Sequence, residues 1–320
     1  MPLTPFQPIG RDDLALIPPL EPMIGQVLDK GTVVMLAAQP AAGKSFLALD
    51  WACSYITGRQ WHGHDISNVV TYPDDRPYNG RVFYIAGEGA RGINGRLTAW
   101  EQAWGHKISN EDLQVNPYPV QLGNIAEVGR LIDFLQKDTF GLVVIDTVAR
   151  CSIGLEENDA SAMGRVIDAA HAIRNAMGPD GTVLLIHHLN KSGSVRGSSA
   201  LLGGVDQLIR LERDGNHLVL EDEKRKDNLE LEPINLRLTP AHDSCIIEVD
   251  RTDWSPTNPL VQEMKHLTPL LPISKSELRL ASSLPDKEVL HYLASGLKDG
   301  LIISTDDKTP RYSLSDKGLE

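Results

Sequence analysis

The sequence predicts an α/β fold, in which a mostly parallel central sheet is covered by helices and extended by antiparallel strands, with a small domain at the C-terminal end. Three observations predict it. Short apolar runs of strand length alternate with helical patterns between residues 32 and 177. One strand-to-helix junction carries a phosphate-binding loop. After residue 205 the helical patterns give way to strand runs separated by polar, charged or Pro-containing breaks.

The elements follow in order. Residues 1–23 hold six of the 20 prolines (Pro2, Pro5, Pro8, Pro18, Pro19, Pro22) and show no helical or strand period, which predicts an arm lying over a core. The main domain is expected at 24–254. Its strands are predicted at 32–37, 81–86, 141–146 and 182–187, and its helices at 44–56, 92–104, 126–136 and 160–177, each with apolar positions at helical spacing. Alternation of this kind builds a parallel sheet with helices on both faces. Antiparallel strands are predicted at 207–212, 217–223, 234–238 and 244–249. A Pro-rich linker at 255–259 opens a last segment, 255–320, with short helical patterns and a hairpin over 301–314.

Composition narrows the classes. Hydrophobic residues at 41% and charged residues at 23% match ordinary folded usage and argue against a disordered or fibrous chain. No run reaches the roughly 18 uncharged apolar residues of a membrane span, and the first ten residues lack a signal-peptide pattern, so the expected compartment is cytoplasmic. Cys53, Cys151 and Cys245 are scattered and unpaired in spacing, which supports neither a disulfide framework nor a zinc site. A net charge of −12 weighs against coating the surface with nucleic acid, yet leaves room for a local basic channel.

The run Ala38-Gln39-Pro40-Ala41-Ala42-Gly43-Lys44-Ser45, followed by Phe46, leaves an apolar strand and opens an amphipathic helix. Backbone N–H groups at such a helix start wrap phosphates, Lys44 reaches the β- and γ-phosphates, and the Ser45 hydroxyl coordinates Mg²⁺. ATP and Mg²⁺ are the expected ligands. Ala38 stands where the motif carries its first glycine, and alanine restricts the turn.

Two carboxylates suit that loop. Asp146 ends the run 141–146 and is expected at the carboxyl edge of the sheet, where it can hold Mg²⁺; strand-ending aspartates also serve as helix caps. Glu88, between Gly87 and Gly89 at the end of the run 81–86, is the candidate base for activating water, its alternative being a solvated loop residue. The run 182–187 leads into His187-His188-Leu189-Asn190-Lys191 and a Gly/Ser loop containing Arg196. A polar side chain there can contact the γ-phosphate and report its state to whatever the loop touches. Lys224-Arg225-Lys226 closes a later strand, either as a solvated end or as a cationic finger for a neighbour's γ-phosphate.

These motifs in their order, with Asp146-Thr147-Val148-Ala149-Arg150, Glu157-Asn158-Asp159 and Arg196-Gly197-Ser198-Ser199-Ala200, resemble the RecA-like P-loop ATPases of the RepA group, relatives of DnaB-type hexameric replicative helicases. The resemblance covers roughly residues 24–250. It implies that His188 is the γ-phosphate sensor, with His187 structural. It places Lys191 and Arg196 on a loop facing single-stranded DNA, and Lys224, Arg225 and Lys226 at a Lys-x-Arg finger position where lysine stands for the usual arginine. It further implies a homohexamer with sites between subunits, and a replication initiator or loader protein as partner. A DnaB-type collar before the ATPase region is not expected.

The C-terminal segment resembles a winged helix, with helices over 274–282 and 286–298 and the hairpin as wing. Val289, Leu290, Leu293 and Leu297 form the apolar stripe of the second helix. Its mixed charge leaves both DNA contact and protein contact open. The expected function is an ATP-dependent DNA motor, a ring helicase moving along single strands. The alternatives are a RecA-like recombination or repair ATPase without unwinding and a nucleotide-switched DNA-binding regulator.

Overall fold

In the computed structural model, described for residues 9–16, 19–71, 77–190, 193–252, 259–267, 271–298, 300–305 and 307–319, the first elements frame the start of the sheet. The N-terminal segment carries one helical turn, α1 (Arg11–Leu14), and an antiparallel ribbon of β1 (Pro22–Ile24) and β2 (Leu28–Asp29). The arm is therefore not wholly irregular, and Met23 and Ile24 are already fully buried. Next come β3 (Val33–Ala38), α2 (Lys44–Thr57), a second ribbon of β4 (Val69–Thr71) and β5 (Pro77–Asn79), then β6 (Arg81–Ala86) and α3 (Ala90–Trp104). The alternation continues through β7 (Leu113–Asn116), α4 (Ile125–Leu135), β8 (Phe140–Asp146), α5 (Ala160–Ala176), β9 (Thr182–His188) and α6 (Ser199–Gly204). β10 (Gln207–Asp214), β11 (His217–Arg225), β12 (Ile234–Ala241) and β13 (Ser244–Val249) follow.

One nine-stranded sheet unites them in the order β13-β12-β11-β10-β3-β9-β8-β6-β7. Pairing is parallel from β10 to β7 and antiparallel from β10 to β13. This is the α/β architecture the sequence predicts. Burial explains why: β3 and β8 are buried along their whole lengths, as expected of strands covered on both faces, whereas β12 buries Leu236 and Leu238 in alternation with more exposed residues. On one face, Val34, Leu36 and Ala38 join Leu47 and Trp51 of α2 in the core. On the other, Phe83 packs on Phe134 of α4 with ring centroids 5.0 Å apart.

A buried carboxylate fixes α2 against α3. Asp50, 1% exposed, accepts from Trp61 Nε1 at 2.6 Å and from Trp100 Nε1 at 2.7 Å. α2 begins at the phosphate loop and α3 just after Glu88, so this knot ties together the two helices that leave the site.

The chain divides into two compact units, residues 1–188 with 195–250, and residues 189–194 with 251–320. The second contains α7 (Pro259–His266), β14 (Ile273–Ser274), α8 (Lys275–Ala281), α9 (Asp286–Lys298), β15 (Ile302–Ser304), β16 (Arg311–Leu314) and α10 (Asp316–Leu319). Its three strands form an antiparallel sheet in the order β14-β16-β15, and Leu260, Met264, Leu278, Val289, Leu293, Ile302 and Leu314 belong to its core. A capping box starts α8: Ser274 Oγ accepts from Glu277 N, and Glu277 Oε2 accepts from Ser274 N. The expected linker lies, apart from Pro259, outside the described residues. Among the described residues no helix is long and apolar enough to cross a membrane.

Candidate active site

Strand register assembles the site. In the parallel ladder Ala38 pairs with His188, and Asp146 pairs with both Ile186 and Ala86. The carboxyl ends of β3, β9, β8 and β6 therefore deliver the phosphate loop, His188, Asp146 and, two residues past Ala86, Glu88 to one edge. α2 carries the chain away from β3 toward β6, across β9 and β8, while β10 lies on the opposite side of β3. Crevices at such reversals of strand order are where open α/β sheets bind ligands.

Gln39, Pro40 and Ala41 are exposed, while Ala42 is buried and Gly43 and Phe46 are half-buried. Ala38 is the last residue of β3 and does not adopt a positive φ, so the glycine it replaces is not required there. The left-handed positions are instead Ala41 (φ 62°) and Gly43 (φ 99°), the latter capping the N-terminus of α2. Arg213, at the end of β10, braces the loop by donating to the Ala41 carbonyl at 2.7 Å.

Lys44 is 5% exposed, and its Nζ donates to the carbonyls of Ala38 (3.1 Å) and Gln39 (2.9 Å) and to His188 Nδ1 (3.2 Å). Burial lowers its pKa to about 8, against the attraction of Asp146 and Glu88. Because His188 Nδ1 accepts, its proton sits on Nε2, 4.0 Å from Glu88 Oε1. Burial and the Lys44 cation hold His188 below the ordinary histidine range.

Asp146 is 3% exposed and accepts from the Tyr84 hydroxyl at 2.6 Å and from the Ser45 hydroxyl. Burial raises its pKa despite these two bonds, with Glu88 adding to the rise and Arg96 opposing it. A buried carboxylate beside a serine hydroxyl is a hard-oxygen donor set, and a divalent cation would stabilise its disfavoured charge, so Ser45 and Asp146 fit Mg²⁺. Glu88 Oε1 accepts from the Thr147 hydroxyl at 2.5 Å.

The other candidates are placed as follows. His187 is 1% exposed and donates from Nε2 to the Arg196 carbonyl at 2.8 Å. Arg196 Nε pairs with Glu157 Oε2 at 2.5 Å. Lys191 lies outside the described residues. Lys224 Nζ donates to the carbonyls of Leu202 (2.6 Å) and Val205 (2.9 Å), capping the C-terminal end of α6. The Arg225 side chain, 4% exposed, pairs with Asp29 at 2.7 Å and Asp222 at 3.3 Å. Its guanidinium is committed within its own chain. Lys226 pairs with Asp206 at 3.0 Å and is the most exposed of the three after its bond is made.

Tyr84, Thr147, Arg96 and Arg213 did not emerge from sequence reasoning. Tyr84 alone left a signal, because a phenol in a strand buried on both faces usually finds an acceptor. A family model described as an AAA domain matches residues 3–194, more than half of the chain. No curated protein matches it.

Proposed function

Since the chain belongs to the AAA domain family, and so to the P-loop ATPases, we propose that it is an ATP-dependent DNA motor, a RepA/DnaB-like hexameric helicase moving along single strands. One observation carries the reading: Lys44, Ser45, Asp146, Glu88 and His188 converge at one edge of the sheet, and His188 is the residue from which the loop bearing Lys191 and Arg196 departs.

The chemistry follows from the residues. N–H groups of the loop and the start of α2 bind the phosphates, and Lys44 exchanges the Ala38 and Gln39 carbonyls for phosphate oxygens. Mg²⁺, held by Ser45 and Asp146, supplies charge neutralisation on those phosphates when bound. Glu88 accepts the proton of the attacking water. Once Lys44 turns to phosphate, His188 Nδ1 loses its donor and the ring is free to turn its Nε2–H to the γ-phosphate. DNA phosphate must displace Glu157 from Arg196, so loop and nucleic acid compete for one cation. The inter-subunit finger falls to Lys226. The helix, strand and hairpin order of the second unit supports a winged-helix reading for residues 255–320.

The test is ATP hydrolysis by wild-type protein with and without saturating single-stranded DNA, with Glu88→Gln as blank. Turnover is expected to rise several-fold with single strands and to vanish in the variant; strand separation on forked DNA then distinguishes a helicase from a recombination ATPase. Slow turnover indifferent to nucleic acid would overturn the motor in favour of a nucleotide-switched regulator.

A further inference from the structure

Glu88 lies between Gly87 and Gly89, and its side chain is 48% exposed. A glutamate in such a setting retains most of its rotamers, and a base that wanders loses the geometry that proton abstraction needs. Something must hold the carboxylate itself. The segment after β8 supplies it. Gly87 N–H donates to the Asp146 carbonyl at 2.7 Å, and Arg150 Nε lies 3.4 Å from the Gly87 carbonyl. A Cβ on Gly87 would come within 2.9 Å of Arg150 Cβ, so the two loops approach backbone to backbone. These contacts fix the peptide around Glu88 but leave its side chain free. Among the described residues the Thr147 hydroxyl, donating to Oε1 at 2.5 Å, makes the one side-chain hydrogen bond to the carboxylate, with His188 Nε2 farther off at 4.0 Å.

Thr147 is itself anchored. It is 3% exposed, its carbonyl accepts from the N–H groups of Arg150 and Cys151 at 3.1 Å each, and the next residue, Val148, donates to the Ile186 carbonyl of β9 at 2.9 Å. A buried, backbone-anchored hydroxyl thus grips a half-exposed, glycine-flanked carboxylate. We propose that Thr147 is a positioning residue that locks Glu88 in the orientation from which it activates water. This rests on the reading of Glu88 as the base. With Oε1 engaged by Thr147 and faced by His188 Nε2 at 4.0 Å, Oε2 is the oxygen turned to the proton.

Thr147→Val keeps the shape and deletes the donor. The kcat for ATP hydrolysis is expected to fall at least about tenfold, while the Kd for a non-hydrolysable ATP analogue stays within about twofold of wild type. Thr147→Ser, which restores the hydroxyl, should bring kcat back to within about threefold. If the valine variant fails to bind the analogue, Thr147→Ala takes its place with the same expected split. Undiminished or raised kcat in the donor-less variant, alongside an inactive Glu88→Gln, overturns the role of Thr147 alone. Full turnover by Glu88→Gln overturns the base and its positioning residue together.

Discussion

The ammonium of Lys44 has each of its donor directions engaged, on two carbonyls of the loop and on the imidazole of His188 at the end of β9. Burial brings its pKa down to about 8. A phosphate recognises the charged form, so the sign of the pH effect is set: below about pH 8 the free protein holds the proton, and above it the proton must be regained on binding. Affinity for a non-hydrolysable ATP analogue should be level up to about pH 8 and then fall by up to about tenfold per pH unit. Lys44→Met should bind weakly and show no such limb; a wild-type profile flat to about pH 10 would refute the lowered pKa. Lys44, Ser45 and Asp146 were legible in the sequence because their spacing is local to one strand end each. Thr147, Tyr84 and Arg213 were not, because their partners arrive through strand register from 59, 62 and 172 residues away.

Strands β3, β6, β8 and β9 were legible because a strand buried on both faces writes an unbroken apolar run. β7 was not: it is four residues long at the sheet edge, and only Leu113 is buried. α6, six residues ending in Gly203-Gly204, is too short to show a period. Strand order was also hidden, since crossovers decide it rather than any single run. Gly141 shows where an element departs from its apolar pattern for packing. It and Gly80 both abut the hydroxyl of Tyr55, a fully buried residue of α2, and an added Cβ at either would overlap that oxygen. Among the described residues this hydroxyl has no hydrogen-bond partner, so its atoms matter here only as volume. Gly141→Ala should therefore cost about 1–3 kcal/mol in denaturant unfolding. Adding Tyr55→Phe removes the overlapping oxygen and should recover most of that loss. Wild-type stability in the single variant would show that α2 is not packed this tightly on β8.

At the scale of the whole molecule, 43 acidic against 31 basic residues must be reconciled with the proposed binding of a polyanion. Ion pairs sharpen the difficulty, because Arg196, Arg210, Arg225 and Lys226 each face a carboxylate of their own chain. Any of these four would have to leave its carboxylate before neutralising a DNA phosphate, and that makes the salt dependence diagnostic. Single strands give a slope of log K against log salt of about −0.7 for each phosphate neutralised. If Lys191 and Arg196 are the contacts, each engaged subunit should contribute about −1.4, and Arg196→Ala should remove about half of it while abolishing stimulation of the ATPase. Glu157→Gln acts in the opposite direction, since it frees Arg196 without adding charge to the DNA side. It should tighten binding at every salt concentration and leave turnover without DNA unchanged. A slope several times steeper, unaltered by Arg196→Ala, would place the DNA on other cations and detach the loop after His188 from the coupling between ATP and strand.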